Sequence, residues 1–304
     1  MKHLLYMPLL GLGLHQGHRG RRWLQNRITI LKQFVVPSLL AQTNKNFILW
    51  ISVRPEDKND KQIKELKTYF ETVKEFKTIF TFSGVCFYDD KYPDQQARER
   101  LLTALHGSMG EIINAIGGCE NVLMTIQPSD DLYFNEAVKG IQRYFENNPS
   151  KQAVGFKRGY ICNYLIKEVA DYNPLTNPPF YTIKFPREIF IDPFRHAEYT
   201  AIKQHIYSEK YPIGTPLPSH EFLKDVFGDN YGTFDGRGFL VGTHWSNIST
   251  SWNIPYKGIS VGQEVLKQFG IFAVPPLKVK LGWRMLYYKL PHWVRRKLRY
   301  WFKI

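Results

Sequence analysis

Two adjacent carboxylates, Asp130-Asp131, stand directly after the apolar run Asn121–Gln127 and behind Ser129. An acidic pair at the end of a buried strand can hold a hard divalent cation, Mn2+ or Mg2+, which in turn bridges phosphate oxygens. The same residues can instead open a helix, with Ser129 or Asp130 as its cap and the negative charge favoured by the helix dipole. A second pair, Asp89-Asp90, closes the strand-like run Ile79–Tyr88 and can serve either a ligand or a turn. His244, in Gly242-Thr243-His244-Trp245, is a candidate late-chain ligand for an ion on Asp130 and Asp131, or else a core histidine. Arg98, Lys157 and Arg158 are candidates for meeting phosphate charge; the alternative for each is a solvated surface cation.

Positioning these groups is the work of the elements around them. Lys2–Leu14 reads as a first core strand, with a short signal peptide as the alternative. Trp23–Leu40 brings Leu24, Ile28, Leu31 and Val35 to one helical face, and Phe47–Val53 is a buried strand. Asp60–Lys77 is periodic as a helix, Ile79–Tyr88 as a strand, Gln95–Ile116 as a helix, Asn121–Gln127 as a strand and Glu136–Phe145 as a helix. This alternation predicts an α/β fold with an open, mostly parallel sheet flanked by helices. Ligands of such sheets bind beyond the carboxyl ends of the strands, where both acidic pairs fall. From Lys151 the rhythm changes. Short strands are expected at Ala153–Lys157, Tyr160–Ile166 and Tyr181–Phe185, helices at Ala197–Ser208 and His220–Phe227, and a Gly-rich loop over Gly228–Gly242.

The 304 residues carry a formal charge of +14, and its distribution is uneven. Residues 1–55 hold 8 basic residues and no acid, residues 265–304 hold 10 and no acid, and residues 56–264 are net −4. An acidic body with two basic ends argues for local anionic contacts rather than a uniformly basic nucleic-acid surface. The three cysteines, Cys86, Cys119 and Cys162, form no C-x-x-C pair, which disfavours a zinc finger or a disulfide scaffold.

The pattern Arg27-(x)6-Phe34-(x)2-Pro37-Ser38-Leu39-(x)2-Gln42-Thr43-(x)3-Phe47, followed by the strand to Val53, resembles the rhamnosyltransferase-like family of GT-A-type glycosyltransferases. Pro128-Ser129-Asp130-Asp131-Leu132 is similar to that family's acidic motif, with Ser-Asp-Asp standing where Asp-x-Asp would. The resemblance covers residues 20–135. It implies a GT-A-like domain over residues 1–278, with a nucleotide-sugar-binding half (1–150) and an acceptor half (151–278). It also implies transfer of a sugar, rhamnose among the options, from a nucleoside diphosphate donor to a polysaccharide acceptor in surface glycan assembly, and the basic C-terminal residues 279–304 add a lipid-linked acceptor as an expectation.

Such a transfer must meet the charge of the departing diphosphate with a metal or with Lys and Arg. Asp130, Asp131 and His244 are the expected metal ligands. Asp89, Asp90, Arg98, Asp130, Lys157 and Arg158 are the expected donor contacts. An inverting reaction also needs a base for the acceptor hydroxyl. Glu221, in Ser219-His220-Glu221-Phe222, is the expected base, with a capping-box acid as its alternative; His196 and Glu198 are the second choice.

The C-terminal extension, residues 279–304, spaces Val294, Leu298, Trp301 and Phe302 along one helical face with basic residues beside it. Trp293, Arg295, Arg296, Arg299, Trp301 and Phe302 are expected to contact an anionic membrane surface, placing the enzyme peripherally on the cytoplasmic face. A docked helix with a solvated basic side is the alternative. Nucleic acid is not an expected partner, since no RRM, KH or helix-turn-helix signature accompanies the basic residues. Two rival readings are a metal-dependent phosphohydrolase built on the same acidic pair, and a non-catalytic adaptor that binds membrane or nucleic acid.

Overall fold

The computed structural model describes residues 1–10, 21–82, 106–165, 168–174, 180–201, 223–244, 261–272, 277, 290–291, 293–294 and 297–298. Lys2–Leu10 forms the central strand β1. Its neighbours are parallel: β2 (Ile48–Val53) on one side and β4 (Asn121–Ile126) on the other, with β3 (Lys77–Thr81) beyond β2. A parallel strand in this position is buried on both faces. Leu5, Met7 and Leu9 enter one apolar cluster, and Leu4 and Tyr6 enter another, as the two-residue period of a strand requires.

The first cluster is roofed by α1 (Arg21–Ile30), a π-helical turn at Leu31–Val35, and α2 (Val36–Leu40). The widened turn comes just before Pro37, whose ring and missing N–H would otherwise break a regular helix. Alongside lies α3 (Lys61–Thr72), which buries Ile63, Leu66 and Phe70 and starts where the Asp60 side chain accepts the Gln62 N–H at 2.7 Å. The second cluster takes Met109, Ile112 and Ile116 from the helix α4 at 106–116.

Beyond β4 come the short β5 (Leu132–Tyr133), α5 (Ala137–Asn147), β6 (Ala153–Asn163), β7 (Glu168–Tyr172) and β8 (Tyr181–Pro186). The helices α6 (Arg187–Phe190), α7 (Pro193–Ala201) and α8 (Leu223–Phe227) lead to β9 (Tyr231–Thr243). Among the described residues nine strands make one sheet in the order β3-β2-β1-β4-β8-β6-β9-β5, with β7 paired to β6. The pairs β4–β8, β8–β6, β6–β7 and β5–β9 are antiparallel, while β6 and β9 run parallel. The fold is therefore α/β with a mixed sheet flanked by helices: β3, β2, β1 and β4 are parallel as expected from the sequence, whereas the second half combines antiparallel pairs with the parallel β6–β9 pair. Parallel neighbours need long crossovers, and the chain from 153 to 186 has strands too closely spaced to supply them.

Two further differences concern single elements. The expected strands Ala153–Lys157 and Tyr160–Ile166 are one strand, β6, whose pairing with β9 shifts register between Phe156 and Gly159. The expected Gly-rich loop, Gly228–Gly242, is mostly the 13-residue strand β9. Three of its four glycines, at 232, 238 and 242, mark close approach: a Cβ at Gly238 would collide with the Phe156 ring, and one at Gly242 with the Asp130 carbonyl oxygen and the Tyr164 ring.

Candidate active site

From β1 the chain moves outward to β2 and β3, then returns to β4 on the opposite side of β1. That reversal is a topological switch point, where α/β sheets open a crevice beyond the strand ends. Gln127 continues from β4 by donating its N–H to the Tyr6 carbonyl of β1 at 2.7 Å. The next residues, Pro128 to Asp131, therefore leave the sheet beside the end of β1.

Asp130 is met there by two groups from distant parts of the chain. The Arg27 guanidinium, on α1, forms an ion pair with Asp130 Oδ2 through Nη1. His244, immediately after β9, brings Nε2 to the same oxygen at 3.0 Å. Arg27 is only 1% exposed and the Asp130 side chain 15%. Burial opposes the Asp130 charge, but the Arg27 guanidinium and the His244 ring outweigh it and hold the carboxyl well below the usual carboxylate range. Burial pulls His244 below its ordinary value, with its hydrogen bond to Asp130 pulling the other way.

Asp131 points to a different partner: its Oδ1 accepts the Gly242 N–H at 2.8 Å. Burial, and then the negative charge of Asp130, push its carboxyl well above the usual range. The two neighbouring acids are thus driven apart, one held as a carboxylate and the other towards the protonated acid. Gln127 closes the turn by donating Nε2–H to the carbonyls of Pro128 and Asp131, at 2.9 and 3.0 Å. Tyr164, just past β6, donates its hydroxyl to the Asp130 carbonyl at 2.9 Å and stacks on Phe34 with ring centroids 3.8 Å apart.

The segment after the acids is clamped by α2 and the turn beyond it. Ser38 Oγ donates to the Tyr133 carbonyl at 3.0 Å, and Gln42 Nε2 donates to the Phe134 carbonyl at 2.8 Å. Gln42 Oε1 accepts the Val138 N–H at 3.1 Å, and the Thr43 N–H reaches the Asn135 carbonyl at 2.8 Å. Arg27, Phe34, Ser38, Gln42 and Thr43 of the N-terminal pattern all engage the acidic segment or Tyr164 beside it. The spacing of that pattern is the footprint of one helical rod laid along residues 130–138.

The structure thus brings Asp130, Asp131 and His244 together. It does not bring Lys157 or Arg158 to them: both are exposed in the middle of β6 at the register shift. At roughly 3.3 Å per residue they lie some 20 Å along the strand from Tyr164. His196 is buried between Phe185 and Phe190, away from this cluster in the core of the other face, while Glu198 is exposed on α7. Asp89, Asp90, Arg98 and Glu221 lie outside the described residues. So do Arg295, Arg296, Arg299, Trp301 and Phe302. Trp293 is described and is 64% exposed, with Lys297 Nζ 5.8 Å from its ring centre. Among the described residues no helix is long and apolar enough to cross a membrane.

Sequence reasoning missed Arg27 as the partner of Asp130, although a signal was present. Leu24, Arg27, Ile28 and Leu31 follow the i, i+3, i+4, i+7 stripe, so Arg27 occupies the buried face of an otherwise apolar helix. A cation there demands a buried anion. Gly242 and Tyr164 carried no such signal.

The donor set does not suit a divalent ion as it is arranged. Asp130 Oδ2 is shared between Arg27 and His244, and the His244 nitrogen that faces it must carry a proton to donate. The Arg27 guanidinium already occupies that oxygen, so any ion on Asp130 would confront an adjacent cation. Among the described residues no group of three or more His, Cys, Asp or Glu side chains is disposed to hold a metal.

No family model and no curated protein matches the sequence. Among solved structures the chain is similar to S. aureus TarS 1-349, with a TM-score of 0.39 and 14% identity over 80% of this chain and 60% of that one. It is also similar to mouse xyloside xylosyltransferase 1 in its apo form, with a TM-score of 0.40 and 9% identity over 77% of this chain and 85% of that one. The chain thus spans about three fifths of the TarS segment it matches.

Proposed function

We propose that this chain is a GT-A-like glycosyltransferase whose nucleotide-sugar donor binds beyond the carboxyl ends of β1 and β4. The observation that carries this reading is the clamp between the two halves of the sequence pattern. The α1–α2 rod exists to fix the acidic turn, through Arg27 on Asp130 and through Ser38, Gln42 and Thr43 on the backbone that follows. A turn held this firmly at a topological switch point is a preorganised ligand platform.

In the reaction the acceptor hydroxyl oxygen bonds to the anomeric carbon as the bond from that carbon to the diphosphate breaks. The hydroxyl proton passes to a carboxylate base, for which Glu221 is our assignment, and the nucleoside diphosphate leaves. A carboxylate on that face also stabilises the oxocarbenium character of the transition state. The finer assignments are rhamnose as the sugar, a polysaccharide or lipid-linked glycan as acceptor, and residues 279–304 as the contact with an anionic inner-leaflet membrane.

The test is a thermal-shift screen of nucleotide sugars, followed by mass spectrometry of products with glycan acceptors. One donor should stabilise the protein selectively and lose its sugar to the acceptor. Donor cleavage at the same rate without acceptor would instead indicate a phosphohydrolase and defeat the reading. Deleting residues 279–304 should abolish binding to anionic liposomes and spare transfer to a soluble acceptor.

A further inference from the structure

The Arg27–Asp130 pair is incomplete on one side. A guanidinium has five N–H donors, and only Nη1 of Arg27 is engaged, by Asp130. Its Nε and Nη2 are buried and have no hydrogen-bond partner among the described residues. Leaving such donors unmade in the interior is costly, so their persistence points to an acceptor that arrives with a ligand. The setting selects the charge of that ligand. Arg27 lies in the second turn of α1, and its unpaired N–H groups carry positive charge, so the acceptor they suit is an anion. Asp130 is already paired with Arg27, and Asp131 accepts the Gly242 N–H, so both carboxyl groups are engaged within the protein.

We infer that Arg27 stands where a divalent ion would otherwise be needed: it is the fixed cation of the site, and its unpaired Nε/Nη2 edge receives the donor's diphosphate. The site then binds nucleoside diphosphates without metal. This rests on reading the crevice as a nucleotide-sugar site. Asp130 becomes the residue that orients the guanidinium, and His244 braces Asp130 from the other side. The planar fork matters as much as the charge, because two parallel N–H donors match two phosphate oxygens.

Isothermal titration of the full chain with UDP, GDP and dTDP, each in EDTA and in MnCl2, tests this directly. At least one nucleoside diphosphate should bind with the same affinity in both conditions. Electron paramagnetic resonance of added Mn2+ should show the ion remaining free in the nucleotide-free protein. Arg27→Lys keeps the charge but loses the fork, and should weaken that nucleotide by roughly tenfold to a hundredfold. Near-UV circular dichroism checks that the variant is folded, and the wild-type arms need no variant at all. Binding that appears only with Mn2+ would overturn metal independence while leaving the site reading intact. Wild-type affinity in a folded Arg27→Lys would overturn the role of Arg27. No binding of any diphosphate in either condition would overturn the site reading itself, and this inference with it.

Discussion

Two of the arginine–aspartate pairs among the described residues join distant parts of the chain, and they are built for different purposes. Arg237 on β9 and Asp171 on β7 make a two-pronged contact, Nε to Oδ1 at 3.0 Å and Nη2 to Oδ2 at 2.8 Å, with about a third of each side chain in solvent. Arg27 and Asp130 meet through one nitrogen, almost wholly out of water, with donors left over. The better geometry sits where it stabilises little, and the poorer geometry sits where charge is most expensive. Solvent screens the first pair and restores whatever it lacks. In the second, the desolvation cost is offset by the partner and by His244 on Asp130, so the pair is a poor stabiliser and a strong constraint on what can sit beside it.

The largest effect should come from breaking the buried pair on one side. Arg27→Met removes the cation facing the buried Asp130 carboxylate, which keeps its hydrogen bond to His244, and should cost about 3–5 kcal/mol, read from urea unfolding. The double variant Arg27→Met with Asp130→Leu should recover most of that loss, because two apolar groups replace two buried charges. If the double variant is no more stable than Arg27→Met alone, the pair is a stabilising element and the contrast drawn above fails.

The first-half fold was legible because buried parallel strands and amphipathic helices write themselves as short apolar runs alternating with three-to-four-residue periodicity. Residues 48–53 and 121–126 are of the first kind and 61–72 of the second. β9 was not legible. Its glycines at 232, 236, 238 and 242 read as loop, since a sequence does not reveal that Tyr144, Phe156 and Tyr164 will occupy the space a Cβ would take at three of them. The acidic turn was legible by type and spacing. Its charge partner was hidden because Arg27 and Asp130 are about a hundred residues apart, joined only by the return of the chain to β4.

A second buried polar group in the same half extends the comparison to pH. His3 on β1 is held by Thr125, with Nε2 and Oγ1 2.7 Å apart, and burial pulls its pKa from 6.5 down to about 3. The unfolded chain therefore takes up a proton at His3 before the folded one does. Stability should fall as pH drops from about 6.5 towards 3, by up to about 1.4 kcal/mol per pH unit from this group. His3→Gln should flatten the dependence of the urea midpoint on pH by that slope. An unchanged slope would mean that His3 is free to charge in the folded state.

Truncating the clamp tests whether hydrogen bonds near the buried pair share its cost. Gln42→Ala strands the Val138 N–H and withdraws a donor from the Phe134 carbonyl, in a side chain that is 2% exposed. The expected loss is about 1–3 kcal/mol, measured by thermal unfolding. A loss below that range would show water replacing the amide, and the clamp would then be looser than the ion pair it supports.

The smallest effect should belong to the pair with the better geometry. Arg237→Ala removes both hydrogen bonds to Asp171 and the packing of the guanidinium over Tyr160, whose ring centre is 5.5 Å away. Even so, the cost should stay under about 1 kcal/mol, since Asp171 is left facing water rather than an apolar interior. It should also shrink as salt is added, because exposed charges are screened over roughly 10 Å at 0.1 M ionic strength. The same salt series on Arg27→Met should leave its larger loss nearly unchanged. If instead the two variants respond to salt alike, solvent reaches Asp130, and the crevice would be wet enough to admit a hydrated cation beside Arg27.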